Sequence, residues 1–160
     1  MSTAAPAITF HTGVHDPVLH GLRVIRKSLA QGLGVLVVAP SEAVATLDEQ
    51  LWVAEPGGFV PHVRLDEMPP TESPAMGAPG SALLRLSSVW LQSHDDALTA
   101  PATPAGREVL VNLGCPVPQD VGPYSRIVEV VGTAPEARVL GQNRWREYRS
   151  RGHNPAHHAV

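Results

Sequence analysis

The sequence has little cysteine, few aromatic residues and no long apolar run. Cys115 is the only cysteine in 160 residues, so no internal disulfide can form, and a cytoplasmic home is the natural expectation. A lone cysteine is more often a small buried apolar residue than a nucleophile. Aromatic residues make up 4%: three Trp, two Tyr and two Phe. No apolar stretch approaches the ~18 residues of a membrane span. The opening "MSTAAPAITF" has no Lys or Arg ahead of an apolar segment, so no secretory signal peptide is expected there. Twelve basic against 15 acidic side chains leave a net charge of −3, which excludes a global pull toward nucleic acid or anionic membrane but not a local basic patch. Neither a G-x-G-x-x-G turn nor a glycine-rich loop ending in Lys and Ser/Thr follows an apolar strand pattern, and G-x-S-x-G is missing.

What is present reads as a globular α/β chain. Hydrophobic residues reach 43% and charged residues 17%, enough to bury a core at a length that suits one domain. "AITFHTGV" at 7–14 reads as a strand. Asp16 and Pro17 then mark a helix start, a side-chain acceptor followed by a proline where no amide donor is needed. Val18, Leu22, Ile25 and Leu29 line one helical face, and Gly32 marks its end. "GVLVVAP" at 34–40 is a continuous apolar run, as in a parallel strand buried on both faces. Ser41 is expected to cap the next helix, whose stripe is Val44, Leu47, Leu51 and Ala54. This is a βαβ opening. The expected fold is therefore a Rossmann-like three-layer α/β/α sandwich with a mostly parallel sheet.

Sixteen Pro and 14 Gly punctuate the chain. They predict irregular loops at 64–82 and 95–106, with "LLRLSSVWLQS" between them supplying one or two strands. "EVLVNLG" at 108–114 and "RIVEVVG" at 126–132 read as strands, joined by a turn or two of helix. Thr133 and Glu136 have capping-box spacing at the head of the last helix, with Pro135 in its first turn and Gly152 as its stop. The expectation is a single domain over 1–152 and a loose tail over 153–160.

Chemistry-bearing patterns are few. His153, His157 and His158 cluster near the end, but Pro155 separates the first two, and a solvated tail is expected instead of a metal site. His94, Asp95 and Asp96 are adjacent in sequence, and neighbours seldom meet in triad geometry. No catalytic residue, metal or cofactor is assigned. Two aromatic positions stand out. Trp52 falls about 120° from the centre of its helix's apolar stripe, at ~100° per residue. It either folds over a neighbouring loop as a lid or serves as an exposed anchor for a partner, completed by Phe59 and Pro61 beyond the Pro-Gly-Gly turn; periodicity leaves both open. On the last helix, Ala137, Leu140, Gly141, Arg144 and Tyr148 share the side that would pack on the sheet. Arg138, Gln142, Trp145 and Arg149 share another. That second stripe is either a solvated face with one aromatic, or a basic–aromatic surface suited to an acidic peptide with a terminal hydrophobic residue. Single-stranded nucleic acid is a further option, although one helix offers few cations for it.

These same residues carry a resemblance. "LDEQLWVAEPGGFVPH", then "EVLVNLG", "IVEVVGTAPEAR" and "RWREYRSRGHN", together resemble the chi subunit family of bacterial DNA polymerase III, over most of the chain and least through 64–106. The resemblance implies a non-catalytic accessory subunit of the replicase, with a Rossmann-like fold and no nucleotide chemistry. It implies two partners: the psi subunit of the clamp loader, and the acidic C-terminal tail of the single-stranded-DNA-binding protein, with DNA contacted only indirectly or weakly. By motif, Trp52, Phe59 and Pro61 match the psi-binding surface; Val131, Arg138, Gln142 and Trp145 match the tail-binding surface, with Arg149 beside them. The family pattern has Arg where this chain has Gln142 and Tyr where it has Trp145, which removes one charge-assisted contact unless Arg138 or Arg149 compensates. The rival class is an α/β enzyme binding a nucleotide or small substrate.

Overall fold

The computed structural model describes residues 5–53, 60–68 and 82–160. Strand β1 (Ala7–Val14) leads through helix α1 (Pro17–Ala30) to β2 (Val35–Ala39), and helix α2 (Ser41–Val53) follows. A three-residue strand β3 (His62–Arg64) runs into a single 3-10 turn at Leu65–Glu67. Helix α3 (Ala82–Leu86), β4 (Val89–Ser93), β5 (Val109–Asn112), β6 (Arg126–Gly132), helix α4 (Pro135–Ser150) and β7 (Ala156–Ala159) complete the order. Among the described residues the seven strands form one sheet, ordered β3-β4-β2-β5-β6-β1-β7, and every pairing is parallel. The expected sandwich is therefore present, with an all-parallel sheet.

Period-two alternation divides the core between two faces. Val35, Val37 and Ala39 of β2 pack with Leu22 and Ile25 of α1 and Val44, Leu47 and Leu51 of α2. Leu36 and Val38 point the other way, into a cluster with Phe10, Trp90, Tyr124, Val131 and Tyr148. So α1 and α2 cover one face, and α4 with α3 and the 115–124 segment covers the other. Asp16 accepts from the Leu19 amide at 3.1 Å and Pro17 opens α1, as the sequence predicts.

Several local expectations are corrected. Helix α4 starts at Pro135 with Ala134 as its cap residue and no side-chain cap bond. Proline's fixed φ at the first helical position sets the cap at Ala134, one residue beyond Thr133, which takes Thr133 out of capping-box register. Ser41 does not cap α2; its amide and hydroxyl both donate to Asp95 Oδ1, at 2.8 and 3.1 Å. The acceptor thus comes from a loop 54 residues away. The "LLRLSSVWLQS" stretch gives a short helix before its strand. Between β5 and β6 no helix forms: Pro116, Pro118 and Pro123 remove amide donors, although Cys115, Val117, Val121 and Tyr124 stay buried. Finally, 153–160 is not a loose tail. Residues 156–159 pair in register with Thr9–Thr12, covering an edge of β1 that would otherwise expose unpaired backbone groups.

Candidate functional site

Gly141 and Val131 set the position of the main cleft. Gly141 lies mid-helix in α4 directly above Val131 of β6, and a β-carbon there would meet both Val131 methyls at 2.9 Å. The missing side chain lets helix and strand approach closely. A buried polar network locks this approach. Arg144 Nε donates to Glu129 Oε1 at 2.6 Å, and the Tyr148 hydroxyl and Asn112 Nδ2 donate to Oε2 at 2.7 and 3.1 Å. Glu129 is fully buried and Arg144 is 5% exposed, so charge is compensated where water cannot help. Burial, then the neighbouring Glu129 charge, raises the Tyr148 hydroxyl far above its usual range. The same two causes push the Cys115 thiol up to about 12. That marks Cys115 as a buried structural thiol.

Along the outer side of α4 a cleft of about 730 Å³ opens between the helix and strands β6, β1 and β7. Its floor is apolar. Phe10 meets the half-buried Trp145 ring edge-on, with centroids 5.1 Å apart and planes at 65°, and Val131 lies beside them. Its rim carries Arg138, Gln142 and Arg146 from α4, and His157 from β7, whose Nε2 lies 2.6 Å from Thr12 Oγ1. No Asp or Glu is among the lining residues. The cleft is thus apolar at the bottom and cationic at the rim, a combination that accepts a hydrophobic group carrying negative charge.

The structure brings Val131, Arg138, Gln142 and Trp145 together here. It leaves Arg149 outside, where its guanidinium reaches Asn154 at 3.5 Å. The sequence reading missed Arg146, which supplies a second rim guanidinium close to the position where Gln142 lacks one. It also missed Phe10 and His157: the first was readable from alternation in β1, the second only once β7 was known to be a strand. The packing side of α4 was partly misassigned. Gly141, Arg144 and Tyr148 are buried, but Leu140 is 43% exposed.

The second surface lies at the other end of the sheet. Trp52, in the last turn of α2, is 60% exposed. Its ring meets His62 edge-on at 5.6 Å. His62 is itself fixed, with Nδ1 2.7 Å from the Val60 carbonyl and Nε2 2.8 Å from Asp48 Oδ1. This pair ties β3 to α2 and supports the indole from beneath. Val53, its neighbour in the chain, is exposed, and so is Pro61, the residue before His62. Phe59 lies outside the described residues.

The sequence profile described as DNA polymerase III chi subunit, HolC, matches residues 6–156, nearly the whole chain. The chain belongs to the DNA polymerase III chi subunit family. That family is an accessory component of the replicase and not its polymerising subunit. A comparison with curated protein sequences finds no match. No helix among the described residues is long and apolar enough to cross a membrane.

Proposed function

We propose that the chain is a two-ended adaptor of the replicase in the cytoplasm. One end, centred on Trp52 with Pro61 and Phe59, holds a psi-like clamp-loader subunit. The other, the α4 cleft, holds the acidic C-terminal tail of a single-stranded-DNA-binding protein. The observation that carries this reading is the cleft's composition: two guanidinium groups above Val131, Phe10 and Trp145, with no carboxylate lining it. Arg138 and Arg146 supply charge for the tail, and Val131 with Trp145 accommodates its terminal hydrophobic residue. The two ends lie near opposite edges of the sheet, β3 and β7. Six interstrand steps of ~4.8 Å separate these edges by roughly 29 Å, so both ends can be occupied at once.

Rim charges are screened by salt, so affinity should be modest and fall as salt rises. The test is a fluorescent acidic peptide with a terminal aromatic residue, titrated at low and high salt. Binding that weakens with salt and drops about tenfold in Arg138→Ala supports the reading. No binding at low salt overturns the tail half. For the other end, capture of a psi-like subunit by the wild type but not by Trp52→Ala supports the reading, and equal capture by both overturns it.

A further inference from the structure

On the sheet face opposite the cleft, three histidines from three elements meet. His11 of β1 and His20 of α1 share a hydrogen bond, Nδ1 to Nε2, of 2.7 Å. His158 of β7, register partner of His11, lies with its ring centroid 5.4 Å away. Among the described residues no group of three His, Cys, Asp or Glu has an arrangement that would hold a metal, and the 2.7 Å spacing is that of a shared proton. That bond requires at least one neutral ring to accept it.

We propose that His11, His20 and His158 form a proton-sensitive clip that docks β7 as a wall of the cleft, so that acidification releases this strand and weakens the cleft's hold on an acidic tail. The regulatory half rests on the tail-binding reading above; the clip itself does not. The groups acting on these rings are all basic. His20, Lys27 and His158 act on His11, and Arg23 and His158 act on His20. β6 adds the apolar Val128 and Val130 to this face, and Arg126 at its start, which donates to Gln31 at the end of α1. Among the described residues no carboxylate acts on either ring; Asp16, one turn before His20, accepts from the Leu19 amide. Burial first, then these neighbours, lowers His20 and takes His11 down to about 4 from 6.5.

The sign follows. A histidine depressed in the docked state favours docking fully above pH 6.5, and loses that contribution as pH falls from 6.5 toward 4. β7 yields first because it is anchored least. α1 is held by Leu22 and Ile25 in the core, whereas all four β7 residues are exposed. β7 also carries His157, so its release removes the Thr12–His157 contact at the cleft rim. The interval between 6.5 and about 4 caps the effect at ~300-fold. Solvent screening of a half-exposed ring reduces the expected change in docked population to about tenfold.

The experiment is an NMR titration of the whole chain from pH 7.5 to 4.5, following Cα shifts of Ala156–Ala159 against those of Val35–Ala39. Loss of strand shifts in β7 between pH 6.5 and 4.5, while β2 keeps its own, supports the clip. A His11→Asn/His20→Asn variant should keep β7 docked to lower pH, and if it does not fold, His158→Asn on the exposed edge gives the same comparison. β7 shifts that hold to pH 4.5, simultaneous loss of β2, or variants that leave the transition unmoved would each overturn it. The acidic peptide, titrated at pH 7.5 and 5.0, forms a separate arm. Failure to bind at pH 7.5 rejects the tail reading and leaves the strand result to judge the clip. Binding at pH 7.5 that weakens at pH 5.0 supports the regulatory half, and binding that is unchanged or tighter at pH 5.0 overturns it.

Discussion

Replacing Gly141 with alanine sets two known effects against each other. In an exposed helix interior, Gly→Ala stabilises by about 1 kcal/mol through lower backbone entropy of the unfolded chain. Here the new methyl would lie 2.9 Å from both Val131 Cγ1 and Cγ2, against the ~3.5–4.0 Å of good carbon contacts. Val131 cannot turn away, because rotating a β-branched side chain exchanges one methyl for the other. The helix would have to shift instead. Arg144 and Tyr148, one and two turns further along, are bonded to the buried Glu129 and resist that shift. Overpacking of this kind costs typically 1–3 kcal/mol, and the rigid neighbour places this site at the upper end. The expected net result is a loss of about 1–2 kcal/mol, read as a lower urea midpoint at unchanged slope. Val131→Ala alone should cost about 2 kcal/mol by leaving a cavity. The double variant should be less destabilised than the sum, with at least ~1 kcal/mol of coupling. A Gly141→Ala protein more stable than wild type would refute the close approach of α4 to β6, and with it the shape of the cleft.

Arg144→Met leaves the buried Glu129 carboxylate without its cation and should destabilise by about 3–5 kcal/mol in urea melts, with Glu129→Gln added to the same chain recovering part of that loss. Cys115 should ignore a thiol reagent at pH 8 in the native protein and react fully on unfolding. Its thiol, held at about 12 against an ordinary 9, also favours the folded state fully below pH 9 and progressively less as pH rises toward 12, so Cys115→Ala should flatten that part of the alkaline stability curve. The two outer tryptophans should separate cleanly: Trp52→Ala costs under ~1 kcal/mol because most of the ring is in solvent, whereas Trp145→Ala costs about 2–3 kcal/mol through its packing on Phe10, as thermal and urea denaturation would show.

The long apolar elements were legible in the sequence because their patterns have one physical solution. Five consecutive buried residues in β2 fit a two-faced parallel strand, and the Asp16-Pro17 start of α1 satisfies its own first turn. The α4 stripe was legible too, and four of its five expected binding positions, counting Val131 from β6, converge on one cleft. What escaped depends on partners distant in sequence. Glu129 sits in an apolar strand and reads as a defect until Arg144 and Tyr148 arrive from the helix. Asp95 serves the head of α2 from another loop. β7, only four exposed residues long, has no apolar signal of its own and exists because β1 offers an open edge. Trp52 shows the limit of periodicity: its angle excluded the core stripe, but only the structure shows the ring lying 60% exposed against His62 instead of closing over a loop.

In open α/β sheets, ligands usually bind beyond the carboxyl ends of the strands, where successive connections leave for opposite faces. Here that point lies between β1, whose helix α1 covers one face, and β6, whose helix α4 covers the other. A crevice of about 430 Å³ does open there, near His15, Gly114 and Thr133. Its chemistry does not suit a nucleotide. Arg144 is the only Lys or Arg among the crevice's lining residues, and it is committed to Glu129 at 2.6 Å. Glu136 adds negative charge to the crevice, and the loop after β1 has no glycine-rich cradle. Cations available to an anionic ligand lie instead on the outer side of α4, at Arg138 and Arg146, and the most exposed indole lies near the far edge, at Trp52. The switch point is instead an internal lock between α4 and the sheet, and the two surfaces proposed for recognition lie at the two ends. That division agrees with the two-ended adaptor proposed above.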